Sequence, residues 1–206
     1  MLIHSDCYHH YHHFPGLTRA NTPEIMTNFF ALFCAVDQPA SYINGLLQHA
    51  EEQSFDAGNI FCLIQSPDQK CVDKPTQPPV SDFKTGFAGW PIEQLGSFCK
   101  EKFDWNNPKS QPPYISDENF AVLDERTLRD GTVLLASYRY WQERIDSDDP
   151  SDADEAFRHL EGWRTVRAKR NSAPDLVSIL PVHDFNQVIE FLKPEDDGVW
   201  RAPEWE

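Results

Sequence analysis

Residues 119–141 read Asn119-Phe-Ala-Val-Leu-Asp-Glu-Arg-Thr-Leu-Arg-Asp-Gly-Thr-Val-Leu-Leu-Ala-Ser-Tyr-Arg-Tyr-Trp141. Phe120-Ala-Val-Leu123 is a short apolar run, the pattern of a strand buried on both faces. Asp124-Glu125-Arg126 then turns polar, and Asp130-Gly131 is a strong turn dipeptide. Thr132-Val-Leu-Leu135 restarts the apolar run, and Ser137 to Trp141 alternates in character. The pattern predicts two strands at the middle of a sheet, joined by a polar turn. On the second strand Tyr138 and Tyr140 share one face, with Arg139 and Trp141 on the other. Asp124, Arg126 and Arg139 are expected to gather at the strand ends around a pocket. Solvated turn charges are the more ordinary fate of such residues.

Further strands and helices extend from this pair. Asn28 to Val36 reads as a buried strand, and Asp37-Gln38-Pro39 ends it. Pro39 sits near the start of a helix to about Gln53, with Tyr42, Ile43, Leu46, Leu47 and Ala50 on one face. Asp37 is the expected N-cap, at a junction where α/β proteins also place site residues. Ile60 to Ile64 gives a second strand. The Pro-rich stretch 66–89 reads as a long loop, of a kind often used as a lid. A helix runs from Trp90-Pro91 to about Phe103, with a loop over 104–118. C-terminal to the central pair lie an acidic loop (146–155), a short helix (Ala156–Leu160) and strands at 162–167 and 176–182. A helix capped by Asp184 and an edge strand at Val199-Trp200-Arg201 complete the chain. The expected fold is α+β. A single domain over 25–206 has a mixed sheet of about five to seven strands, three or four helices, and long Pro-rich and acidic loops. Residues 1–24, with His4, His9, His10, His12 and His13, form an N-terminal arm. A His-rich tract can bind metal, but this one has only Asp6 as an acidic neighbour and reads as metal-free.

Eighteen Lys and Arg against 33 Asp and Glu give a net charge of −15. That balance argues against nucleic-acid phosphates and anionic membrane surfaces as partners. No apolar run is long enough to span a bilayer, and no basic-then-apolar leader is visible. Cys7, Cys34, Cys62, Cys71 and Cys99 show no Cys-x-x-Cys spacing, which disfavours a zinc ribbon and fits a reducing, cytoplasmic setting. Phosphate-cradling and dinucleotide glycine motifs are missing, as is a Gly-x-Ser-x-Gly elbow. No cofactor and no metal are therefore expected.

Five short motifs occur in order: Ala35-Val36-Asp37, Val122-Leu123-Asp124-Glu125-Arg126, Trp163-Arg164-Thr165-Val166-Arg167, His183-Asp184-Phe185 and Asp197-Gly198-Val199-Trp200-Arg201. Together they resemble a family of small uncharacterised domains found in actinobacteria and fungi, over about residues 28–201. The resemblance implies a fold and no activity.

Phe, Tyr and Trp number 14, 6 and 6. Most belong to a core, yet an aromatic wall with Arg and Tyr handles suits a mostly apolar small molecule. The functional expectation is a cofactor-independent cyclase or isomerase, of pericyclase or Diels–Alderase type, acting on a terpenoid or polyketide intermediate. Arg139, Arg164 and Tyr138 are the expected catalytic donors, and His183 would move a proton. Tyr140, Trp141, Trp163, Trp200, Arg167, Asp124 and Arg126 would line the substrate. The alternative is a non-enzymatic, acidic interaction module of inhibitor or immunity type that binds a basic partner. A closed pocket lined by Tyr138, Arg139 and Trp163 favours the enzyme. The same residues packed without a void, beside an exposed apolar patch, favour the module.

Overall fold

A computed structural model describes residues 29–53, 59–70, 72, 74–103, 115–144, 157–181 and 198–200, with backbone alone for 53, 141–144 and 157–159. In chain order the elements are β1 (Phe29–Cys34), α1 (Ala40–Gln53), β2 (Phe61–Ile64), α2 (Ile92–Phe103) and β3 (Ile115–Leu123). They continue with α3 (Glu125–Asp130), β4 (Thr132–Arg144), β5 (Phe157–Lys169), α4 (Ala173–Ile179) and β6 (Val199–Trp200). The six strands form one mixed sheet in the order β2-β1-β3-β4-β5-β6. The fold is α+β, as the sequence predicts.

The first three strands are parallel, and β3, β4 and β5 are antiparallel neighbours. Parallel pairs need crossovers, and the two helices supply them. The apolar runs Phe-Ala-Leu-Phe-Cys in β1 and Phe-Cys-Leu-Ile in β2 are buried throughout, because both sheet faces are covered. Phe30, Leu32 and Cys34 face Ile43, Leu46 and Leu47 of α1 and join Leu176, Val177 and Leu180 around α4 in one core. Ala31 and Phe33 point the other way, onto Leu95, Cys99 and Phe103 of α2 and onto Phe87. Phe33 makes edge-to-face contacts with Phe87, Phe98 and Phe120 at 5.0–5.9 Å between centroids.

Four local expectations are corrected. The polar turn after β3 is the helix α3, closed at its start by a reciprocal cap. The Thr127 amide donates to Asp124 Oδ1 at 3.0 Å, and the Asp124 amide donates to the Thr127 hydroxyl at 3.0 Å. Gly131 ends α3 at φ 69°, a left-handed position that favours glycine. Residues 157–160 are strand rather than helix, because they pair residue for residue with Trp141–Arg144 of β4. Leu176–Ile179 is helix rather than strand: Ala173, Leu176, Val177 and Leu180 are buried at helical spacing, and Pro174 suits the first turn. Residues 115–118, read as loop, begin β3. The N-terminal arm, the acidic loop, the Asp184 helix and Arg201 lie outside the described residues.

The Pro-rich stretch is anchored rather than loose. Thr76 donates its amide to the Phe61 carbonyl at 2.9 Å and accepts from the Leu63 amide through its hydroxyl at 2.8 Å. Gln69 and Gln65 add a second clamp at 2.8 Å. Asn59, fully buried, donates to Thr76 O at 2.6 Å and accepts from the Phe61 amide at 3.0 Å. Asn59→Ala would leave both groups unsatisfied in the interior. A loss of about 1–2 kcal/mol is expected, read as an earlier urea midpoint at unchanged slope; an unchanged midpoint would rule the clamp out.

Candidate functional site

Because the chain moves from β1 to β2 through α1 and then to β3 through α2, the strand order reverses between β1 and β3. Such a reversal opens a crevice beyond the carboxyl ends of the strands, where α/β sheets bind ligands. Two carboxylates stand there, Asp37 three residues after β1 and Asp124 directly after β3.

Asp37 is not the α1 cap. The Ala40 amide donates instead to Asp82 Oδ1 at 3.2 Å, from the Pro-rich strap. Asp37 turns outward: Lys84 Nζ donates to its Oδ2 at 2.6 Å, and the Thr85 amide donates to its Oδ1 at 3.0 Å. These bonds hold the carboxyl below its ordinary range and raise the Lys84 ammonium. Underneath, the Thr85 hydroxyl donates to the Cys34 carbonyl. Burial, then the Asp37 charge, push the Cys34 thiol up to about 12, so it stays protonated and is no nucleophile at neutral pH.

Asp124 forms the second centre. Its Oδ2 accepts from Arg167 Nη2, whose guanidinium also donates to the Thr132 hydroxyl at 3.2 Å. Gln38 bridges the two centres, donating its amide to the Asp124 carbonyl at 3.1 Å. Arg126 lies alongside on α3 and pairs with Asp130 at 2.7 Å. Asp37, Gln38, Pro39, Asp82, Phe83, Lys84 and Leu128 line an open pocket of about 650 Å³. Phe83 and Leu128 are its apolar walls, and Leu128 is 53 % exposed at the rim.

Asp124, Arg126 and Arg167 thus stand at one end of the sheet, and none of the three lines the pocket. Arg139 does not join them. It lies seven positions along β4 from Thr132, about 23 Å at the rise of a strand. Arg139 and Arg164 also cannot share a cavity with Tyr138, Tyr140 and Trp163. Register and period two put the two arginines on the α1 and α4 face and the three aromatics on the α2 face. Tyr138 packs on Trp163 at 5.2 Å and Trp163 on Phe120 at 4.8 Å, so these rings fill space against α2. Trp200 is buried in the opposite core. His183 and the Trp141 side chain lie outside the described residues. Gln38, Asp82, Phe83, Lys84 and Leu128 carry no local signal in the sequence; only Asp37, directly after a buried apolar run, does.

Among the described residues, no group of three His, Cys, Asp or Glu side chains is placed to hold a metal ion, and no helix is long and apolar enough to cross a membrane. The chain matches no family model, no curated protein and no solved structure. The resemblance carried by the short motifs therefore gains no support from them, and the reading of the site rests on its geometry.

Proposed function

We propose that the chain binds a mostly apolar, carbonyl-bearing small molecule in the pocket beyond β1 and β3, and acts on it without a cofactor as a cyclase or isomerase. The observation that supports this is the position of the pocket at the reversal of strand order. The pocket is open, about 650 Å³; Tyr138 and Trp163 pack together and Arg139 lies on the other face, so they form no closed pocket, and the enzyme reading rests on the position of this open one. Phe83, Pro39 and Leu128 offer apolar contact. Lys84 offers a donor toward an oxygen whose electron density rises during reaction. Asp37, held ionised by Lys84 and Thr85, is a weak base. Its part is to hold the Lys84 ammonium at the mouth. Cyclisation by selection of a reactive conformer needs little more.

The test is a screen of terpenoid and polyketide-like ketones and acids, read by amide shifts in the labelled protein. Hits are expected to move residues 37–39, 82–85 and 128. Lys84→Met should weaken them about tenfold, the loss of one hydrogen bond from a charged donor. Shifts scattered away from the pocket, or full affinity in Lys84→Met, would remove this reading.

A further inference from the structure

A second assembly lies on the α2 face, at the middle of β4 and β5. The Tyr138 and Tyr140 rings meet edge to face at 5.5 Å, and Tyr138 meets Trp163 at 5.2 Å. The Lys100 ammonium, from α2, lies over the Tyr138 ring at 2.9 Å and stands 5.9 Å from the Trp163 ring. Glu161 is the register partner of Tyr140 and is hydrogen-bonded to the Tyr138 phenol. Glu118 is close enough for its charge to act on the same phenol. The outer ring, Tyr140, is 70 % exposed.

Aromatic faces carry negative potential and attract ammonium and guanidinium groups. Two carboxylates beside the rings strengthen that potential. The inner half of this ladder already holds an amine of the chain itself, which indicates the kind of group that the rings take. We propose that the Tyr138–Tyr140–Trp163 ladder with Glu118 and Glu161 is a docking surface for a Lys- or Arg-bearing segment of a basic protein partner. The inference is independent of the small-molecule pocket and uses none of its residues.

Charge chooses the occupant. A chain of net charge −15 repels a second copy and acidic proteins, and it draws basic ones from a distance. Exposed tyrosine is a typical interface anchor, offering a large rigid face at small entropic cost. The partner's cation stacks on Tyr140 with Glu161 beside it. Its aliphatic stem lies along the edge of Tyr138. Lys100 then acts as a built-in competitor: it occupies Tyr138 in the free chain and lowers affinity for a second cation nearby.

The probe is a short fluorescein-labelled peptide of alternating Lys and Ala, with a Glu-for-Lys peptide as control, followed by anisotropy at fixed ionic strength. Tyr140→Ala keeps the net charge and is expected to weaken binding about fivefold. Glu161→Gln should weaken it more than Glu52→Gln, the same charge change on exposed α1. Lys100→Met should tighten it more than Lys74→Met does. Thermal melts of each variant report that the fold is intact. Equal affinity in Tyr140→Ala, or equal effects of the Glu161 and Glu52 changes, would overturn the proposal and leave net charge alone as the cause. Self-association of the free chain that Tyr140→Ala abolishes would overturn it in favour of a second copy.

Discussion

Gly96→Ala should destabilise the protein by about 2 kcal/mol, although alanine is the better helix former. Gly96 lies in α2 with its backbone against the Trp163 indole. A methyl group there would overlap Trp163 Cε2, Cζ2 and Nε1. The ring cannot easily retreat, since Phe120 and Tyr138 flank it at 4.8 and 5.2 Å. Overpacking of this kind costs about 3 kcal/mol, against a gain of about 1 kcal/mol in helix propensity. The melting temperature should fall by several degrees. Adding Trp163→Leu should recover part of the loss, because the smaller side chain leaves room for the methyl. A Gly96→Ala protein that melts higher than the parent would mean that the indole does not lie against this helix.

Asp124→Ala should cost still more, about 3–4 kcal/mol. Two losses combine. The side chain caps α3, which contributes about 1 kcal/mol. It also pairs with Arg167, and the two side chains are only 24 % and 13 % exposed. Removing one partner of a largely buried pair leaves the other charge uncompensated, at about 3 kcal/mol. Asp124→Asn keeps a capping oxygen and loses the charge, so the difference between the two variants separates the effects. Acid should reveal the same pair. Burial raises the Asp124 carboxyl, but the bonds from Arg167 and Thr127 outweigh it and leave a net lowering. A folded pKa below the unfolded one means that the contribution is complete above about pH 4. It is lost as pH falls through the folded value. Asp130 titrates in the same sense: bonds from Thr132 and Arg126 overcome burial and bring it to about 2. Urea melts between neutral pH and pH 2 should therefore show the parent losing more stability than Asp124→Asn. Parallel profiles would mean that Arg167 does not hold this carboxylate.

The parts of the fold legible in the sequence are those with strong local period. The apolar runs of β1, β2 and β3 and the amphipathic faces of α1 and α2 need no tertiary information. What escaped was decided elsewhere in the chain. Residues 157–160 are strand because β4 is long enough to pair with them, and nothing in Phe157-Arg-His-Leu160 says so. Leu176-Val-Ser-Ile179 belongs to an apolar run that reads as a strand, yet Pro174 fixes a helical first turn and both Leu176 and Val177 are buried. Asp124-Glu-Arg-Thr127 did carry its signal, a cap whose partner three residues on is Thr rather than the more usual Glu. Of the candidate site, only Asp37 is legible, from its place after a buried strand; Asp124, Arg126 and Arg167 stand beside the pocket without lining it. Lys84 and Asp82 are not legible, since Lys84 finds Asp37 across 47 residues of sequence and Asp82 finds Ala40 across 42. Tyr138, Tyr140 and Trp163 share a face, as period two requires, but what fills the space beside them was set by α2, whose Gly96 lets the Trp163 indole lie against the helix backbone.

The strap that follows β2 has a consequence for how the chain behaves in company. Among the described residues β2 is the last strand of the sheet on its side, and Phe-Cys-Leu-Ile is strongly strand-forming. A bare edge of that composition is a template for polymerisation. Thr76 and Gln69 occupy the outward amides and carbonyls of Phe61, Leu63 and Gln65. Prolines at 75, 78 and 79 deny the strap itself the regular donors of a further strand. The segment thus works as a gatekeeper against fibre growth, and a chain trimmed between Pro67 and Pro79 would keep most of its core while gaining a sticky margin.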